Sequence, residues 1–165
     1  MVNLLFSPNG RITSGPFWQG VLILLVVSYV MTALSAFGPQ GMGAIWTVLS
    51  LALIYPSVCV YAKRFHDAGK SGWWYLAVIG ASFVVGIILS VVLTFPRMAE
   101  LATLGPNTDE YREAVRELQR SLLLPSLFIS TVVTLAVAYV VGNLKSDPQE
   151  NIYGPPPGGG GAPVA

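Results

Sequence analysis

Charge is scarce in this chain. Only 10% of its 165 residues are charged, nine Lys or Arg against eight Asp or Glu, and the net charge is +1. A soluble domain carries about 25% charged residues. So few charges cannot cover a water-facing surface, and lipid is the expected solvent. The balance of signs excludes the basic face of a nucleic-acid binder. There is one cysteine, Cys59, and one histidine, His66. A lone cysteine makes no intramolecular disulfide, and no Cys/His cluster is available for zinc or an iron–sulfur centre. No metal site and no cofactor is therefore expected. Cys59 lies inside an apolar run and reads as a small buried hydrophobe. Neither a nucleophile elbow nor a phosphate-cradling glycine loop occurs, so no residue is assigned as catalytic.

Apolar residues are what the chain has instead, 53% of it, with a mean hydropathy of +0.64. They fall into four long runs, at about 16–37, 43–62, 73–95 and 121–142. About twenty helical residues cross the ~30 Å hydrocarbon core. The expected fold is an all-α integral membrane protein: a four-transmembrane-helix bundle with a short amphipathic extramembrane helix and a disordered C-terminal tail. Pro16 suits the first position of the first span, after a cap at Ser14 or Gly15. Ala33-Leu-Ser35 faintly resembles a signal cleavage site. The run is longer than a signal core and only Arg11 precedes it, so a retained anchor is expected. The second run contains Pro56, which predicts a kink near Tyr55-Pro56 rather than a break.

Outside the spans lie three segments. Residues 1–15 form an N-terminal lead-in with the turn signal Pro8-Asn9-Gly10. In the 96–120 connection, Asn107 and Glu110 have capping-box spacing. Tyr111, Ala114, Val115, Leu118 and Leu122 follow at helical spacing. Asp109/Arg112, Glu113/Arg116 and Glu117/Arg120 are opposite charges three apart. This predicts an amphipathic helix, running into the fourth span with a bend at Pro125. The 143–165 tail turns polar, and its Gly/Pro composition predicts disorder after 154.

Within lipid, small residues let helices approach. Ser82, Gly86 and Ser90 are four apart on the third span. Ser126, Ser130, Thr134 and Ala138 repeat that spacing on the fourth, and Ser28, Thr32 and Ala36 on the first. These stripes are the expected packing seams. No Asp, Glu, Lys, Arg or His falls inside a span, which argues against an ion-coupled transporter.

Four spans put both termini on one side. The 38–43 connection has no Lys or Arg. The 63–72 connection has Lys63, Arg64 and Lys70, and Arg11 and Lys145 share its side. Basic residues mark the cytoplasmic face, so both termini are expected there. The four arginines of 96–120, interleaved with five acids, run against that rule. Trp18, Tyr61, Trp73, Trp74 and Tyr139 would form an interfacial belt, with Trp18, Trp73 and Trp74 as the main anchors.

The stretch Tyr61–Tyr75 concentrates what polar chemistry there is. Arg64 offers a planar fork for phosphate. His66 titrates near neutral pH, and Asp67 beside it is a candidate acceptor for its N–H. Gly69 supplies a turn, and Ser71 or Gly72 a cap for the third span. Arg64, His66, Asp67, Lys70 and Arg11 are the candidate ligand-binding residues. The alternative is a basic loop that fixes topology and depth.

Arg64-Phe-His66-Asp67-Ala-Gly69-Lys-Ser71-Gly72-Trp73-Trp74 closely resembles the signature of domain of unknown function 805, a family of small bacterial inner-membrane proteins. Gly10-Arg11 before Phe17-Trp18, and Asn151-Ile-Tyr153-Gly154-Pro155, resemble that family's N-terminal and closing motifs. Ser14 departs from it, standing where members often carry a second basic residue, and 96–120 looks like an enlarged connection. The resemblance implies a multi-span protein of the bacterial cytoplasmic membrane and supplies no activity. The three motifs are expected to meet on one face. The leading functional expectation is a non-enzymatic scaffold or regulatory protein, with the bilayer, a protein partner or a second copy of itself as partners. The alternatives are binding or transport of anionic lipid headgroups or small anions through Arg64, His66 and Lys70, and acid–base chemistry by His66 and Asp67.

Overall fold

The computed structural model describes residues 2–37, 42–106 and 108–157. These form six helices: α1 (Val2–Phe6), α2 (Ser14–Phe37), α3 (Gly43–Ala52), α4 (Ile54–Asp67), α5 (Trp73–Thr103) and α6 (Asp109–Gly142). Among the described residues there is no strand, only a bridge between Asn151 and Gly154. Four helical stretches are long and apolar enough to cross a membrane: Ser14–Phe37, Ala44–Asp67, Trp73–Thr103 and Asp109–Gly142.

Three boundaries differ from expectation, each for a local reason. The second span is interrupted at Leu53, not at Tyr55-Pro56. A proline ring collides with the carbonyl four residues back, here that of Ala52. The chain responds with a tighter bond, Leu53 N–H to Ser50 O at 3.2 Å. Next, α4 does not stop at Ala62 but runs to Asp67, so the polar stretch is helix before it is loop. Nothing between Pro56 and Gly69 breaks a helix. Gly69 ends it with φ +67. Its N–H bonds His66 O at 3.0 Å and the Lys70 N–H bonds Phe65 O at 2.9 Å, the paired bonds of a Schellman ending.

The third difference is the end of α5, which continues through Pro96 to Thr103. The amphipathic helix opens α6 and runs into the fourth span as expected, through Pro125. The proposed cap Asn107 lies outside the described residues. Thr108 caps α6, its Oγ1 accepting the Tyr111 N–H at 3.1 Å. Asp109–Arg112 and Glu113–Arg116 pair at 3.3 and 2.9 Å. Among the described residues Glu117 and Arg120 do not. The tail is described through residue 157, and the region expected to be disordered beyond that lies outside the described residues.

The chain divides into two compact units, Met1–Val78 with Thr134–Ala165, and Ile79–Val133. The first unit holds the core: Phe17 and Val21 of α2, Cys59, Val60, Tyr61, Ala62 and Phe65 of α4, Tyr75, Ala138 and Val141. Tyr61 stacks on Tyr75 at 4.2 Å and meets Phe17 edge-on at 5.1 Å. Glycines set the close approaches here. A Cβ on Gly20 would lie 2.9 Å from both Val60 methyls, and one on Gly142 3.0 Å from Trp18 Nε1. Of the expected seams, the fourth-span stripe is buried at Ala138 and half-buried at Thr134, and the first-span stripe Ser28, Thr32 and Ala36 is half-buried. In the second unit Gly86, Ser90, Ser126 and Ser130 are exposed and Ser82 is half-buried. A Cβ on Gly86 would meet nothing within 4 Å.

Candidate functional site

The last two turns of α4 carry Lys63, Arg64 and Asp67, all buried. Arg64 and Asp67 are three apart, which helix geometry places on one face. Arg64 Nη1 donates to Asp67 Oδ2 at 2.5 Å. Neighbouring residues on a helix do not face one another, so His66 points elsewhere. Its N–H is not accepted by Asp67. Gly10 O, 3.2 Å from His66 Nδ1, can only accept, so Nδ1 carries the proton. The His66 ring stacks flat on Tyr153, centroids 3.7 Å apart and 4° from parallel.

Two distant segments complete the cluster. Arg11 reaches Asp67 with Nε to Oδ1 at 3.3 Å and Nη2 to the backbone O at 3.4 Å. Its remaining donors go to the tail: Nη1 to Gln149 O at 2.8 Å and Gly154 O at 3.1 Å, Nη2 to Asp147 O at 2.5 Å. Arg64 completes its set with Ser146 Oγ at 3.1 Å, Gly142 O at 3.0 Å and Leu144 O. Only its Nε lacks an acceptor. Ser146 Oγ in turn donates to Asp67 Oδ2 at 2.5 Å.

One rule underlies the pattern. The final carbonyls of a helix have no partner within it and carry a partial negative charge. Arg11 meets the end of α4 at Asp67 O. Arg64 meets the end of α6 at Gly142 O. Lys63 Nζ donates to Asn3 O at 2.5 Å and Leu4 O at 2.7 Å, in the five-residue α1. Three buried cations thus serve three helix ends, and Asp67 neutralises part of their charge.

The tail is held by its own turn chemistry. Asn151 Oδ1 accepts the Tyr153 N–H at 2.9 Å, and Asn151 and Gly154 exchange backbone bonds at 3.3 and 2.9 Å. Gly154 sits at φ +117, where a side chain is strained. The turn hands the Asn151 amide to His66 O at 3.1 Å, and the Asp147 N–H bonds Asp67 O at 2.7 Å. The Asp147 carboxyl is held below its ordinary range by the Gln149 N–H, then by the Asn151 amide, with a smaller contribution from Arg11.

A family model described as protein of unknown function (DUF805) matches residues 5–155. The chain belongs to the DUF805 family. The matched segment contains the whole cluster, from Arg11 to Gly154. No curated protein and no solved structure matches the chain.

In this DUF805 chain the sequence-derived candidates separate into three groups. Arg11, Arg64, His66 and Asp67 come together in one cluster, but Arg64 is only 3% exposed and Asp67 0%. The two arginines and His66 donate to the chain's own carbonyls, and Asp67 accepts from the arginines and Ser146. Lys70, Trp73 and Trp74 are exposed. Of the expected belt, Trp18 is half-buried against Gly142 and Tyr61 is in the core. Sequence reasoning missed Lys63 as a cap for α1, and Ser146 and Asp147 altogether. A short polar tail reads as a linker, and nothing local ties Ser146 to a carboxylate 79 residues away. Among the described residues no group of His, Cys, Asp and Glu is arranged to hold a metal.

Proposed function

We propose that this DUF805 chain is an integral protein of a bacterial cytoplasmic membrane, crossing it four times as a helical bundle with both termini in the cytoplasm. Its role is that of a non-enzymatic scaffold or regulatory partner. The Arg11–Arg64–Asp67 cluster is a structural clasp that joins the N-terminal segment, the α4 end and the tail. One observation carries this reading: every N–H of Arg11 and four of the five of Arg64 already have acceptors in the same chain. The clasped form leaves no fork for a ligand. A catalytic His66–Asp67 pair is equally unsupported, because the two side chains bond to different groups. Exposed Lys70, Trp73 and Trp74 support a membrane surface at the start of α5, where such residues settle at headgroups.

The test is calorimetric titration of the detergent-solubilised protein with inorganic phosphate and with short-chain phosphatidylglycerol. The clasp reading expects no saturable binding by the parent chain. Saturable binding that Arg64→Lys removes would overturn it. The scaffold role is tested separately. Replacing 96–120 by a neutral linker should change the set of copurifying proteins, and an unchanged set would count against it.

A further inference from the structure

We propose that the tail from Ser146 to Gly154 acts as a built-in stand-in for an oxyanion, and that its release opens a phosphate-binding site on Arg11 and Arg64. This rests on the clasp reading of the closed form. The tail presents oxygens much as an oxyanion would. Three of its carbonyls, of Asp147, Gln149 and Gly154, surround the Arg11 guanidinium, and the Ser146 hydroxyl accepts from Arg64. A guanidinium fork recognises the same arrangement in a phosphate or a carboxylate.

The charge count points the same way. In the closed form two guanidiniums face Asp67, and the Asp147 carboxyl of the tail also acts on Arg11. Without the tail, two positive charges remain with one carboxylate, and Arg11 loses three acceptors. An incoming oxyanion replaces both the charge and the acceptors. The covering is also poised to lift. No tail side chain enters the apolar core, and Ile152 at the tip of its turn is 90% exposed. The tail is held by hydrogen bonds and one ring stack and buries no apolar side chain in the core. Segments with few buried apolar contacts open locally before the rest of the chain. While the tail is down, apparent affinity falls in proportion to the open fraction. Free phosphate and the phosphate of an anionic lipid present the same chemistry.

The test uses the full chain in detergent, titrated with inorganic phosphate. Asn151→Ala with Tyr153→Ala removes the tail's hold on His66. Gly154→Ala strains the turn, with its added Cβ meeting nothing within 4 Å, so it decides if the double variant does not fold. A nitroxide at Ile152→Cys in a Cys59→Ala background reports tail mobility. Loosened chains should bind phosphate at least tenfold more tightly than the parent, and adding Arg11→Lys should cancel the gain. Nanodiscs of phosphatidylglycerol against phosphatidylcholine identify the source: a gain on the anionic discs alone points to a lipid headgroup, a gain with phosphate alone to a free anion. A mobile tail with no gain for either overturns the proposal and leaves the clasp reading standing. A nitroxide that stays immobilised in every variant overturns it too. Binding by the parent equal to that of the variants defeats the clasp reading as well.

Discussion

Asp67 has no exposed surface, and its two carboxylate oxygens meet Arg11, Arg64 and Ser146. Removing one partner of a buried ion pair strands the other charge, at a cost of about 3–5 kcal/mol. Asp67→Asn should therefore lower stability by about 3 kcal/mol, read as a marked fall in the detergent melting temperature; an unchanged melt would remove the cluster's structural role. Arg116→Ala breaks a pair whose members are both well exposed. Exposed pairs are worth about 0–1 kcal/mol, so its melt should stay close to the parent's. Asp147 supplies the pH dependence. Its folded pKa is depressed, so it stabilises the closed tail fully above its ordinary value and loses that contribution as pH falls from there through the lower folded value. A nitroxide at Ile152 should stay ordered at neutral pH and loosen below about pH 4, and Asp147→Asn should abolish the transition.

For elements, the informative contact is α2 against α4. Gly20 lets the helices meet at Val60, with no room for a Cβ. Overpacking costs about 1–3 kcal/mol. Gly20→Val should destabilise by that amount, and Val60→Ala should recover much of it; a double variant no better than the single would place the strain elsewhere. Gly86→Ala should be neutral or slightly stabilising in the same melt, since its surroundings are open and alanine is the better helix former. The four apolar stretches were legible because each is longer than a span needs. The seams were not. A Ser or Thr every four residues marks a helix face but not what lies opposite, whereas Gly20, Gly72 and Gly142 mark backbone approaches only once Val60, Ala62 and Trp18 are in place.

The molecule as a whole carries its polar chemistry at one junction. A four-span bundle with cytoplasmic termini expects cysteines at Lys70 and Ile152, in a Cys59→Ala background, to react with an impermeant maleimide only from the cytoplasmic side. A cysteine at Glu113 should react only from the other side. Labelling of Glu113 and Lys70 from the same side would refute that topology.

The all-helical class was legible in the apolar runs, because runs of about twenty residues suit an apolar helix that satisfies its own backbone, and are longer than a strand needs. Motif reading also expected Arg11, the Arg64–Trp74 stretch and Asn151–Gly154 to meet, and Arg11, His66 and Asp67 do come together with Asn151 and Gly154. Which donor meets which acceptor was decided only by the tertiary structure. A guanidinium has five N–H groups and no preference in sequence, while most of the acceptors that took them are backbone carbonyls that any residue supplies. The fold chose them by ending α4 at Gly69, ending α6 at Gly142 and turning the tail at Gly154, which brought those carbonyls within 3.4 Å of the two arginines.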